Sequence, residues 1–270
     1  MTTDLALRWT LSFASIAIVL NSAELLVVRR AFASGGLIGL RAPLKPGLME
    51  TALAGAPSPW TAPPLLTPLL IGRLLFAGWL ITSAITGASL GVPVALCFAA
   101  SVTVAWLKVV GGDGADQMAL CILTASALGY TLGQNTPPAQ RAVLVFIAGQ
   151  SLLAYVTAGA AKLASSRWRR GGVLAGIIST SSYGTPFVGR FLARFPLLDR
   201  LLGWIAIAFE MTMPLVLFLP FHLAVPLLAC GVLFHLSCAF VMGLNDFVWA
   251  FIATYPALLY SRELLASLAA

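Results

Sequence analysis

The feature that most limits this chain is the scarcity of charge along runs long enough to cross a bilayer. A helix needs roughly 17–25 apolar residues to span the hydrocarbon core. Runs of that kind stand at 7–28, 67–89, 92–110, 115–133, 142–163, 201–219 and 223–243, with a shorter one at 246–260. Of the 270 residues, 60% are apolar and 9% are charged, against about 25% charged in soluble domains. Sixteen bases and nine acids are too few to cover a soluble fold of this size. The sequence therefore predicts an all-α fold, a polytopic helical transmembrane bundle of about eight spans, as one domain over residues 1–270. It predicts a multi-pass protein of a cell membrane whose first partner is the lipid bilayer. A soluble nucleotide enzyme and a DNA-binding domain do not fit. The net charge of +7 reports topology and lipid headgroups, not nucleic acid.

The links between runs carry the next information. Gly87–Gly91 and Pro220-Phe221-His222 are short and join helical hairpins. The first run reads as a retained helix rather than a leader, because Arg29 and Arg30 separate it from the small residues Ala31 and Ala33. Two connections are longer, 29–66 and 164–200, and residues 172–182 are expected to form an interfacial helix. With eight spans, twelve Lys and Arg fall at one face (face B) and three at the other, Arg8, Arg141 and Arg262. The positive-inside rule then puts face B in the cytoplasm. Cys97, Cys121, Cys230 and Cys238 sit in apolar runs without metal-ligand spacing and read as small buried residues. The spaced pairs Gly87/Gly91, Gly129/Gly133 and Gly172/Gly176 read as helix packing.

Ionisable residues within spans are costly and mark functional candidates. Here they crowd toward face B: Glu24, Arg73, Lys108, Asp113, Asp116, Gln117, Lys162, Glu210, His235 and Asp246. At 1.5 Å per residue, Glu210 and His235 lie about 12–13 Å from that face on the two arms of one hairpin. The expectation is a cavity opening at face B, with Glu210 and His235 in mutual reach at its floor and Lys162 at its rim. Plainer readings stand beside it. Glu210 with His235 is then an interhelical hydrogen bond, Lys162 a snorkelling anchor, and Asp116 a first-turn carboxylate favoured by the helix dipole. No metal site is expected, and His222 lies too far from His235 in depth to share a haem.

Tyr155-Val-Thr-Ala-Gly-Ala-Ala-Lys162-Leu163, followed by Trp168 and Gly171, resembles a signature of the vitamin K-dependent γ-carboxylase-like family, also called the horizontally transferred transmembrane (HTTM) domain. Phe234-His235, Met242 and the stretch Phe247–Tyr260 are similar to its histidine helix and its last aromatic-rich span. Glu210 fits the carboxyl residue of the preceding helix, and Gly111–Gln117 resembles a G-x-D turn of bacterial members. The resemblance covers about residues 105–260. It implies that Lys162 is the base that deprotonates vitamin K hydroquinone, whose oxygenation yields the species that removes a glutamyl γ-proton. A poorly solvated amine gives up its proton more readily, so the chemistry has a physical basis.

The departures are specific. The carboxylases carry a second lysine where this chain has Ala161, and a histidine where it has Asp116. Their substrate-docking extramembrane region has no counterpart in the ten residues after Tyr260. Their site faces the lumen, opposite to the side the charge count gives face B. γ-Carboxylation by this chain alone is not expected.

The leading reading is a bacterial-type HTTM-like protein whose polar cavity binds a quinone, another lipophilic ligand or a peptide being modified. Lys162, Glu210 and His235 are the candidate catalytic residues, and Tyr155, Asp116, Gln117 and Arg73 the candidate ligand-binding ones. Two other classes stay open. One is a non-catalytic membrane subunit or assembly partner of a redox or peptide-maturation system. The other is a transporter or immunity-type protein, though no inverted repeat is visible.

Overall fold

A computed structural model describes residues 1–28, 63–107, 113–180 and 184–269. The expectations placed on Arg29, Arg30, Ala31, Ala33, Lys108 and Gly111 lie outside the described residues. Within them the chain is helical and holds no strand. The helices are α1 (Thr3–Val27), α2 (Pro63–Thr86), α3 (Gly91–Leu107), α4 (Gly114–Thr131), α5 (Pro137–Ala164), α6 (Ser166–Arg170), α7 (Val173–Ile178), α8 (Pro186–Arg194) and α9 (Pro196–Thr212). A 3-10 turn, Met213–Leu217, extends α9. α10 (Phe221–Met242), α11 (Asn245–Ile252) and α12 (Tyr255–Ala269) complete the chain. This is the expected all-α bundle.

Five described helical segments are long and apolar enough to cross a membrane: Thr3–Val27, Leu66–Thr86, Pro137–Ala164, Pro196–Leu217 and Phe221–Met242. α3 is shorter, with 17 residues, and the first turn of α4 carries Asp116 and Gln117. The shortest expected run, 246–260, is two helices rather than one. Pro256 has no N–H to continue the helix and its ring crowds the carbonyl of Ile252, so the chain restarts at Tyr255. The Thr254 hydroxyl closes the break, hydrogen-bonding Phe251 O at 2.8 Å and Ser151 Oγ at 2.8 Å.

α1 runs through the centre and packs against α2, α4, α5, α11 and α12. It buries Leu7, Leu11, Ala14 and Ile18, and also Thr10, Ser15, Asn21 and Ser22. Small and hydroxylated residues suit such a position, because helices in an apolar solvent associate through close packing and hydrogen bonds. Within residues 164–200 a helix, α7, stands inside the bounds 172–182 expected for an interfacial helix, shorter than those bounds, with a short helix before and after it. The positive φ angles of Gly171 (+91°) and Gly172 (+89°) end α6 and let α7 begin in a new direction. The segment holds three short helices, α6 to α8.

Polar contacts between helices sort to two ends. At face A, Arg8 donates to Ser83 O and Ala88 O, both at 3.1 Å, and Arg262 donates to Leu219 O at 2.6 Å. These two cations close helix ends whose carbonyls have no intrahelical partner. The contacts of Asn21, Arg73, Lys162, Glu210, His235 and Asp246 gather toward face B.

Candidate functional site

The first polar centre joins α5, α9 and α10. Lys162 ends α5, one turn beyond Gly159. An ideal Cβ built on Gly159 comes within 3.1 Å of Glu210 Cβ and 3.0 Å of Met211 Sδ. The glycine therefore lets α9 come close enough for Lys162 Nζ to bind both Glu210 oxygens, at 2.7 and 2.9 Å. The Glu210 side chain is 5% exposed and the Lys162 side chain 21%. Trp168 of α6 lies under the ammonium, its ring centroid 5.4 Å from Nζ, a contact worth about 0.5–1 kcal/mol. Lys162 is thus neither an unpartnered base nor an unpartnered anchor: its Nζ is paired with both oxygens of a buried carboxyl.

One helical turn or two deeper lies a second set. Tyr155 Oη and His235 Nε2 share a hydrogen bond of 2.8 Å, and Tyr155 Oη lies 3.3 Å from Tyr255 Oη. His235 is 2% exposed and its Nδ1 has no hydrogen-bond partner among the described residues. The imidazole stacks on Phe251 (centroids 4.4 Å apart, rings at 20°), with Phe234 at its edge and Phe247 at 6.4 Å. Phe209 meets Tyr155 edge-on.

This pairing differs from the expected contact between Glu210 and His235. Glu210 turns to Lys162 and His235 to Tyr155, and among the described residues no hydrogen bond joins the two. The expected cavity is displaced as well. Aromatic rings surround His235, and among the described residues a cavity lies elsewhere at face B.

That volume is a cavity of about 190 Å³ among α1, α2, α3 and α4, lined by Arg73, Ser101, Asp116 and Gln117 at its polar end and by Val104 and Leu123 on its apolar wall. Arg73 is 5% exposed. It donates from Nε to Ser101 Oγ at 3.0 Å and from Nη1 to Asn21 Oδ1 at 2.7 Å. Among the described residues no hydrogen bond occupies its Nη2. Asn21 passes the network on, donating to Asp246 Oδ2 at 3.3 Å.

Carboxyl oxygens of Asp113, Asp116 and Asp246 lie within 4.8 Å of one another. One Asp113 oxygen is already engaged as the N-cap of α4, accepting from Ala115 N and Asp116 N at 3.0 and 2.9 Å. Phe247 separates the two centres: its ring approaches His235 on one side and Gly114 of α4 on the other.

The seven residues singled out in sequence thus fall into three groupings: Lys162 with Glu210, Tyr155 with His235, and Arg73, Asp116 and Gln117 around the cavity. Tyr255, Ser101 and the partnership of Asn21 with Arg73 were missed. Asn21 was visible as a polar residue in an apolar run. Nothing in the sequence marks Tyr255 as the second phenol beside Tyr155. Comparison with protein-family models, with curated proteins and with solved structures finds no match.

Proposed function

We propose that this chain is an HTTM-like integral membrane protein that holds a lipophilic ligand with a small polar head, a quinone being the best chemical fit, in the cavity beside Arg73. The observation that carries the reading is a buried guanidinium with an uncommitted nitrogen on the wall of a cavity that is otherwise largely apolar. A guanidinium N–H is a donor suited to a carbonyl oxygen, and Val104 and Leu123 suit a flat ring. A volume near 190 Å³ takes a headgroup of one or two rings and leaves a tail in lipid. A bound quinone would supply two-electron redox chemistry. The protein's own part is to orient the head through Arg73, which Ser101 and Asn21 hold in place, and to keep water out.

Lys162 and Glu210 serve this reading as a proton-exchanging pair at the membrane edge, with Tyr155, His235 and Tyr255 as the hydrogen-bonded set behind it. Whether the ligand serves a modification of a peptide, as in the carboxylases, or a redox partner belongs to the same proposal. The test is extraction of the detergent-solubilised protein followed by mass spectrometry, with Arg73→Gln and Lys162→Met beside wild type. A near-stoichiometric quinone, lost in Arg73→Gln and kept in Lys162→Met, is the expected result. Loss only in Lys162→Met moves the ligand to the lysine edge. Bulk phospholipid alone, equal in all three samples, removes the ligand reading and leaves the subunit role.

A further inference from the structure

α8 carries two parallel stripes on its exposed side. Phe187, Phe191 and Phe195 follow one another at four-residue spacing, with exposures of 72%, 46% and 50%. Arg190 and Arg194 form the neighbouring stripe, and both are exposed. The opposite side is closed: Leu192 and Val188 pack with Ala175 and Ile178 of α7 and with Met242 of α10. At Gly189 an added Cβ would overlap Ser179. The phenyl stripe continues into Leu197 and Leu201, 82% and 57% exposed, at the start of α9. That helix begins the crossing segment Pro196–Leu217. A short helix laid across the start of a span puts its exposed face where acyl chains meet headgroups.

The charges on this segment are of one sign. Arg167, Arg169, Arg170, Arg190, Arg194 and Arg200 are all exposed. The only acid from residue 164 to residue 209 is Asp199, which is 2% exposed. Its carboxyl accepts hydrogen bonds from Gly172 N and from Ala175 N at the head of α7. Arg169 closes the end of α5 through the carbonyls of Leu163 and Ala164. Among the described residues, the other five arginines make no side-chain hydrogen bond.

We propose that residues 166–180 and 184–200 form a docking platform for the anionic phospholipid headgroups of the leaflet at face B. The phenyl rings enter the acyl boundary, and the uncommitted guanidinium groups bind headgroup phosphates, whose oxygens match their paired N–H donors. The proposal rests on the membrane-crossing reading of α9 and does not depend on a quinone. Because Trp168 of the same platform covers Lys162, the lipid would stand at the edge of the first polar centre.

The test uses the full chain in detergent, mixed with equimolar phosphatidylglycerol and phosphatidylcholine, separated from free lipid and assayed for bound lipid by mass spectrometry. The expected result is an enrichment of phosphatidylglycerol of about tenfold, as a few juxtamembrane bases supply. It falls several-fold between about 0.1 M and about 0.5 M NaCl. The triple variant R170Q/R190Q/R194Q retains the two lipids nearly equally, and the pairs R167Q/R170Q and R190Q/R194Q, each a milder change, fall between. Equal retention by wild type overturns the proposal. So does an enrichment that persists in these variants while circular dichroism shows them folded.

Discussion

The Tyr155 hydroxyl sits 2.8 Å from His235 Nε2, while Nδ1 of the same buried ring has no partner among the described residues. The imidazole is therefore held by one hydrogen bond and by stacking on Phe251. His235→Phe keeps a ring of similar size and leaves Tyr155 its contact with Tyr255, so it should cost about 1 kcal/mol. His235→Ala opens a cavity among the aromatic rings and should cost about 3 kcal/mol. Thermal unfolding in detergent gives the order. Equal losses would mean that the hydrogen bond, not the stacked ring, holds this part of the bundle.

Lys162 and Glu210 make a second pair whose members should not behave independently. Lys162→Met leaves a carboxyl that is 5% exposed without its cation, at an expected cost of about 2–3 kcal/mol, because a buried charge is then uncompensated. Adding Glu210→Gln removes the stranded charge and should restore at least half of that loss. The double-mutant cycle measured by thermal unfolding should show coupling of about 1–2 kcal/mol. Strict additivity would mean that the two side chains do not meet in the membrane.

Sequence reasoning reached the helices more surely than the contacts. The eight apolar runs are helical over most of their described length, since hydropathy and length are local properties. The break at Ala253–Thr254 was missed although Pro256 signals it, because the run was read for hydropathy rather than for proline. Lys162, Glu210 and His235 stood out because polar groups in apolar runs are rare, and Tyr155 through the signature that the stretch to Leu163 resembles. Their pairing was misjudged. Depth along two helix axes says that Glu210 and His235 lie at one level, but not which way each side chain turns about its helix. That rotation depends on neighbours distant in sequence, such as Gly159 admitting α9 and Gly231 admitting Tyr255. The cavity was displaced for the same reason, as four phenylalanines from three helices occupy its expected place.

Gly231 supplies a test of that close packing. A Cβ at this position would stand 2.1 Å from the Tyr255 hydroxyl and 3.3 Å from the Phe209 ring. Gly231→Ala should push Tyr255 off Tyr155 and cost about 2 kcal/mol, as overpacking does. Gly159→Ala, whose Cβ would meet Glu210 Cβ at 3.1 Å, should cost about 1 kcal/mol and loosen the lysine pair. Adding Tyr255→Phe to Gly231→Ala removes the obstructing oxygen and should recover part of the loss. No recovery would place the strain at Phe209 instead.

Arg73 is the only base among the described residues of the network that includes Asn21, Ser101, Asp116 and Asp246. The carboxyl groups of Asp113, Asp116 and Asp246 lie close together, and Arg73 reaches Asp246 through Asn21, so removing the guanidinium takes a buried cation out of that network. Arg73→Met keeps much of the side-chain volume, so packing loss is small and the electrostatic effect should dominate. The expected loss is about 3 kcal/mol or more. Arg73→Met/Asp116→Asn removes one of the facing charges and should regain about 1 kcal/mol. A neutral change at a distance, Ser126→Ala, should recover nothing, since Ser126 lies elsewhere on α4 and its hydroxyl has no hydrogen-bond partner among the described residues. If Arg73→Met unfolds no sooner than wild type, the cluster is not held by this cation, and the cavity loses the group proposed to orient its ligand.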